Sequence, residues 1–307
     1  MTKVLFFYII EIINSKGINI MSKIKIISDS TADIPKNLQQ ELGIEVFALP
    51  IIDGDKEYLD GVSITNEEFY KILEESDKLP SSSRVAPGSF TDAYQKAWQE
   101  GYTDLIYVCL NSKGSSTYQG AVLELEDFYD ENPQARDAIR VHIIDSKTYS
   151  MAYGYGAVIG ARMAKEGKSA DEVVAAIKDW IDHSRILFVP LDLKCVKKSG
   201  RVSAAAAFVG DALGLKPVIT FEDGESKVIS KIRGEKKVIG EMLRMVNEDR
   251  EPNSPYMIVS GSNMEMYGKF RDKVYETMDV PPACEYPVGC IIAINAGANV
   301  LGIIYRR

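Results

Sequence analysis

From residue 23 onward, short apolar runs alternate with segments whose apolar residues recur at helical spacing. Residues 23–28, KIKIIS, form a β-branched run that ends in the turn-rich DSTADIP. Residues 44–52, IEVFALPII, predict a second strand before a DGDK turn, and TDLIYVCL (103–110) and IRVHIIDS (139–146) predict two more. Phe69, Ile72 and Leu73 share one helical face behind a Thr65–Glu68 capping box. Phe90, Ala93, Tyr94, Ala97 and Trp98 repeat in the same way after Ser89 and Asp92, which have the spacing of a helix start. Ser116 and Gln119 have that spacing too, ahead of another apolar run. Strands that each lead into a helix predict a parallel, doubly wound sheet, and ligands of such sheets sit off the carboxyl ends of the strands.

The pattern changes near residue 165. An amphipathic helix opens at Ser169 and Glu172, and RILFVPLDLKCV (185–196) reads as extended. KSGRVSAAAAFVGDALG (198–214) predicts an alanine-rich helix, and KPVITFEDGESKVISKIRG (216–234) a hairpin about Asp223-Gly224. A helix, the strand PYMIVSG, another helix and two apolar stretches complete the chain. The expected architecture is α/β, with a parallel-sheet N-terminal domain over residues 21–165 and a C-terminal α/β domain with antiparallel strands over 166–307. Residues 1–20 are expected to be an N-terminal extension. Their apolar run of about ten residues contains Glu11 and is too short to span a bilayer, so no stable membrane insertion is expected.

Composition narrows the function. The 307 residues carry 36 Lys and Arg against 44 Asp and Glu, a net charge of −8, which argues against a nucleic-acid partner. Cys109, Cys195, Cys284 and Cys290 form no CxxC pair, which fits buried thiols in a reducing cytoplasm. His142 and His183 are the two histidines and read as structural. The chain has no G-x-S-x-G elbow, no G-x-G-x-x-G, no Walker loop and no zinc-ligand spacing. Asp29 and Asp33 read first as turn and capping residues and second as cation ligands. What remains is a set of hydroxyls near helix starts, in SSSRVAPGSF (81–90) and NSKGSSTYQG (111–120). Without a base or a metal, such hydroxyls suit holding an anion rather than transforming it.

Taken in order, KIKIISDSTADIP, the loop before PGSF, SSTYQ, IIDSKTYSMAYGYGA, KKSGRV and KIRGEKK resemble the DegV family from about residue 23 to the C-terminus. That family comprises bacterial two-domain lipid-binding proteins, including the fatty-acid-binding subunits of fatty acid kinase. The resemblance implies a fatty acid lying between the domains, its carboxylate held by hydroxyl and histidine side chains. The family's loop hydroxyl, usually threonine, falls on Ser82. The serine of its S-G-T-Y-Q run falls on Ser115, with Ser116 in place of the glycine. Its C-terminal histidine falls on Asn295, and Arg84 stands where glutamine is usual. Arg84 then either stands in for the missing cation, selects a different acidic ligand, or is a surface arginine. Ser115 and Ser116 also read as helix caps. Arginines that contact the kinase in related proteins match Arg201 and Arg233, with Lys197, Lys198, Lys236 and Lys237 around them; solvated loop charge is the competing reading.

The implied function is a cytoplasmic, non-enzymatic carrier in phospholipid metabolism. It has no cofactor beyond its bound long-chain fatty acid, presents the carboxylate to a fatty acid kinase catalytic subunit and retains the acyl phosphate. Burying about fourteen methylenes supplies on the order of 11 kcal/mol before ordering costs. Each hydrogen bond to the charged head returns roughly 1.5–3 kcal/mol, so two or three donors about offset its desolvation. The alternatives are an acyl ester or acyl phosphate hydrolase or transferase with Ser82 or Ser115 as nucleophile, and a DegV-like binder of another acidic ligand.

Overall fold

The first layer is a four-stranded parallel sheet in the order β2-β1-β6-β7, formed by β1 (Ile24–Asp29), β2 (Glu45–Phe47), β6 (Asp104–Cys109) and β7 (Arg140–Asp145). The computed structural model describes residues 22–76, 78–206 and 214–307. The expected extension at 1–20 and the alanine-rich run beyond residue 206 therefore lie outside the described residues. Helices α1 (Lys36–Leu42) and α5 (Met151–Lys165) pack on one another, and α3 (Ser89–Gln99) packs on α4 (Thr117–Glu131). With right-handed crossovers these pairs cover opposite faces of the sheet. Strand β6 is buried along its whole length, as a covered parallel strand must be.

Residues 44–52 do not form the single strand expected of them. The run breaks at Ala48 and Leu49. The Leu49 N–H donates to Ser30 Oγ at 3.1 Å, and Pro50 has no N–H with which to continue a ladder. The chain then enters a small antiparallel sheet, β4-β3-β5, made of β3 (Pro50–Asp53), β4 (Lys56–Leu59) and β5 (Ser81–Ser82). Helix α2 (Asn66–Glu75) separates the last two and begins with the predicted Thr65–Glu68 capping box.

The second layer is a six-stranded sheet in the order β10-β9-β8-β13-β11-β12. It comprises β8 (Ser184–Pro190), β9 (Leu215–Glu222), β10 (Glu225–Arg233), β11 (Tyr256–Ser260), β12 (Cys284–Pro287) and β13 (Val300–Arg306). All pairs are antiparallel except β11–β12, which is parallel. Helices α6 (Ala170–His183), α7 (Lys194–Lys198), α8 (Ser203–Ala206), α9 (Val238–Asp249), α10 (Met264–Thr277) and α11 (Cys290–Ala296) complete the fold. The stretch 185–196, read as wholly extended, turns helical at Lys194, and the first of the two apolar C-terminal stretches is helical from Cys290. The hairpin falls where expected, with Asp223 and Gly224 at φ 49° and 80°.

The pleat divides this sheet. Leu187, Val189, Val218, Leu301 and Ile303 face a core shared with α9 and α10. Ile186, Phe188, Ile219, Val300 and Ile304 face the other way, into a core continuous with the first layer. Two apolar faces therefore need cover, and the first layer supplies one of them.

Two buried carboxylates tie the first sheet together. His142 is structural, as expected: its Nε2 lies 3.2 Å from Asp104 Oδ1, beside Arg140 at 2.9 Å. Burial raises the Asp104 pKa, but His142, Thr103 and Arg140 outweigh it and hold it below the ordinary value of 3.8. This stabilisation is complete above pH 3.8 and is lost as the pH falls through the lowered folded value. Asp104→Asn should therefore flatten the acid limb of a stability–pH curve measured by urea unfolding. Asp29, fully buried at the end of β1, accepts from the Thr31 and Leu110 N–H groups and the Tyr107 and Tyr153 hydroxyls at 2.7–3.2 Å. Asp29→Asn turns one acceptor oxygen into a donor facing donors, and should cost about 2–3 kcal/mol in the same assay.

Candidate functional site

Between the two layers lies a cavity of about 400 Å³, within the range of roughly 300–1,000 Å³ usual for small-molecule sites. Thr31, Leu110, Tyr149 and Ser150 reach it from just beyond the carboxyl ends of β1, β6 and β7. This is where an open parallel sheet binds ligands. The facing wall is apolar: Ile186 and Phe188 of β8, Val259 of β11, Val300 and Gly302 of β13, and Phe221 of β9, whose ring stacks on Phe188 at 5.9 Å. Exposure concentrates at one end, at Ser83, Ser116 and Arg201, and this end is the mouth.

The sequence-predicted residues gather at that end. Ser82, Arg84, Ser115, Asn295 and Arg201 all line the cavity, whereas Arg233 is exposed at the end of edge strand β10 and does not. Pairing with Ile51 in the small sheet places Ser82. Ser115 does the capping expected of Ser116: its Oγ accepts from the Thr117 N–H at 3.2 Å and lies 2.9 Å from Thr117 Oγ1. Ser116 holds the N-cap position without a side-chain bond, because its backbone (φ −77°, ψ 7°) is not the extended form that aims a cap at the helix. Ser89 and Asp92 form no cap either. Helix α3 starts after Gly88, and Glu124 of α4 accepts from the Phe90 and Thr91 N–H groups at 3.0 and 3.1 Å.

Asn295 is held from both sides. Its Nδ2 donates to Ile291 O at 2.8 Å, and its Oδ1 accepts from Ser199 Oγ at 2.8 Å, which leaves one amide hydrogen for a ligand. Ser199 also accepts from the Arg201 N–H at 3.1 Å, and Arg201 Nε donates to Gly114 O at 3.2 Å. Half-buried Arg84 lies over the first turn of α4 in a notch that only glycine provides. A Cβ at Gly120 would stand 2.9 Å from its Nη1. Among the described residues, no hydrogen bond or ion pair engages the Arg84 guanidinium, and no Asp, Glu or His lines the cavity. Two guanidiniums and the positive end of the fifteen-residue α4 thus surround a space without a compensating anion.

Other chemistry finds little support in the geometry. Neither Ser82 nor Ser115 touches an imidazole, carboxylate or amine among the described residues. Asp29 is filled by its four donors. Burial pushes the Asp33 carboxyl well above the ordinary range, against the pull of the Ser150 hydroxyl 2.6 Å away, so it is a poor cation ligand. Among the described residues, no group of three His, Cys, Asp or Glu is placed to hold a metal, and no helix is long and apolar enough to cross a membrane. Cys109, Cys195 and Cys290 are buried thiols, and Cys284 is partly exposed. Asn111, Tyr149 and Ser199 lie outside the strand–helix pattern that points to Ser82 and Ser115, and their side chains position the site.

Fold and cavity together define a two-layer α/β protein with an apolar chamber and an anion-suited mouth. The chain belongs to the DegV family, whose profile, described as an uncharacterised protein family, matches residues 23–307. A DegV domain-containing protein of Clostridium perfringens is 32% identical over 286 residues, covering 92% of this chain and 99% of the relative. A DegV family protein of Thermus thermophilus, described for its fatty acid binding, is 26% identical with a TM-score of 0.82, covering 93% of this chain and all of the other. A Thermotoga maritima protein whose structure is described as revealing fatty acid binding function is 25% identical over the same share, with a TM-score of 0.76.

Close packing at the mouth generates a prediction. A Cβ at Gly114 would stand 1.9 Å from the Tyr149 hydroxyl oxygen. Gly114→Ala should destabilise the protein by about 1–3 kcal/mol, as overpacking does. Urea unfolding should show a smaller loss in a Tyr149→Phe background, where that oxygen is gone.

Proposed function

We propose that this protein binds a long-chain fatty acid between its two layers and presents the carboxylate to a fatty acid kinase partner, acting as a cytoplasmic carrier rather than an enzyme. One observation carries the reading: the cavity is walled by aliphatic and aromatic side chains, while its mouth gathers hydroxyls and two arginines with no acidic residue among the described lining. A hydrocarbon tail belongs behind such a mouth and an acidic head within it. The reported fatty acid binding of the Thermus and Thermotoga relatives supports the same ligand class.

In this reading Ser82, Ser115 and the remaining Asn295 amide hydrogen donate to the carboxylate. Arg84 supplies the cationic charge that asparagine lacks. Placing the head at the mouth leaves it within reach of a second protein, which would bring nucleotide, metal and phosphoryl-transfer chemistry. Arg201 and Arg233 are the docking residues of this proposal. On a chain of net charge −8 they orient a partner more than they add affinity. A second reading, a different acidic ligand, is favoured by the departures at Asn295 and Arg84.

Native mass spectrometry of ligand carried through purification separates the two. Recovery of C16–C18 acids (the usual long chains) is expected, and a polar metabolite without an acyl chain would overturn the ligand class. Ser82→Ala, Ser115→Ala and Arg84→Gln should each weaken fatty acid binding by about tenfold or more, since each removes a hydrogen bond to charge worth roughly 1.5–3 kcal/mol. Equal affinity of Arg84→Gln and the wild type in a titration would return Arg84 to the surface role.

A further inference from the structure

The two layers are joined on both sides of the cavity, but in different ways. One side is deeply buried. Ser150 Oγ lies 2.7 Å from Tyr286 Oη, the Tyr70 hydroxyl donates to Val288 O, and Cys290 Sγ donates to Asn66 Oδ1 at 3.4 Å. Tyr70, Ser150, Tyr286, Val288 and Cys290 are all less than a tenth exposed. Ser150 also holds φ 56° and ψ −152°, a conformation that L residues rarely adopt and that its packed surroundings enforce. The other side, at the mouth, is joined through exposed Arg201, whose Nε donates to Gly114 O at 3.2 Å, and through the tip of the β9–β10 hairpin. Asn111 Nδ2 donates to Gly224 O at 2.8 Å, and Lys113 Nζ meets Glu225 Oε1 at 3.0 Å, with both charged side chains more than half exposed.

Asn111, 1% exposed, is the buried polar side chain that hydrogen-bonds across the junction to the hairpin tip. Its Nδ2 also lies 3.0 Å from Tyr149 Oη, and its Oδ1 accepts from the Lys113 N–H at 3.1 Å. It therefore shapes the 111–116 loop that carries Ser115 and ties that loop to the opposite layer. Gly224 fits the contact because a Cβ there would stand 2.7 Å from Asn111 Oδ1. Below its tip the hairpin is held in the two cores by Val218, Ile219 and Ile232, and Ser226 Oγ accepts from the Ala204 N–H at 3.1 Å, so the part that can swing is the tip and not the whole hairpin. Strand β10 is the sheet edge, and its ladder with β9 is irregular between Val228 and Ser230, just below the tip. Phe221 of β9 forms cavity wall and packs on Tyr149 at 4.7 Å, so displacing the hairpin would open the chamber.

We propose that the tip of the β9–β10 hairpin is the gate of the cavity and that Asn111 is its latch, positioning Ser115 when closed and releasing the tip when ligand enters or leaves. This rests on the fatty acid reading for its ligand, but not for its motion. The contacts of the buried side stay closed while the tip parts on the exposed side, where water competes with the Lys113–Glu225 and Arg201–Gly114 bonds but not with those of Asn111.

The test uses cis-parinaric acid, an intrinsically fluorescent long-chain fatty acid, in stopped-flow exchange with the full-length protein. Asn111→Ala should speed release about tenfold. Glu225→Lys, which changes only an exposed side chain and places two cations together, should speed release and uptake about threefold at low salt. Lys113→Cys with Glu225→Cys, joined by a short bis-maleimide in a Cys284→Ser background, should slow both at least tenfold. Wild-type exchange rates in the charge-reversed and cross-linked proteins would overturn the gate while leaving the binding reading intact. A wild-type protein that takes up no parinaric acid would overturn the binding reading. Deuterium uptake then tests the gate: Asn111→Ala should expose the hairpin amides from Phe221 to Lys227 while β13 stays protected, and unchanged uptake would refute it.

Discussion

The six-stranded sheet is apolar on both faces, and neither can be left in water. One face is covered by α9 and α10. The other, carrying Ile186, Phe188, Val300 and Ile304, can be covered only by the parallel-sheet layer. The two layers meet around this requirement without filling the space between them. The apolar wall left over is the wall of the chamber. Fold and site therefore share a cause: the hydrophobic burial that joins the layers also leaves an apolar chamber between them.

Charge sets the two ends of that chamber apart. The chain as a whole is acidic, yet Arg84 and Arg201 line the cavity near the positive end of α4 with no acidic side chain among its described lining, while Glu124, Asp127, Asp130 and Glu131 share a separate groove on the other side of Arg84. A cation at a helix N-terminus is unfavourable until an anion arrives. The glycine at position 120 lets the guanidinium lie close over α4, since a Cβ there would stand 2.9 Å from Nη1 and make it shift. Asn295 shows the complementary economy. Its carbonyl and one amide hydrogen are spent on Ser199 and Ile291, so its contribution to a ligand is a single oriented donor.

Much of the architecture was legible because it follows from local chemistry. The Thr65–Glu68 and Ser169–Glu172 capping boxes form as read, since a cap needs only residues three apart. The Asp223-Gly224 hairpin forms because those residues accept positive φ. The strands β1, β6 and β7 follow from apolar runs that end in turns. Legibility failed where a distant partner outbid a local one. Glu124 took the first-turn amides that Ser89 and Asp92 were expected to serve, and the Ser30 contact together with Pro50 split one apolar run between two sheets.

The site divides along the same line. Residue types and their order were enough to single out Ser82, Ser115, Asn295, Arg84 and Arg201, because a family likeness travels with sequence motifs. That these five share one cavity while Arg233 stands apart was decided by tertiary structure, since pairing between strands far apart in the chain brings them together. The roles of Asn111, Ser199 and Gly120 belong wholly to the folded state. Each acts through a neighbour brought near by packing, across a separation along the chain that no spacing rule measures.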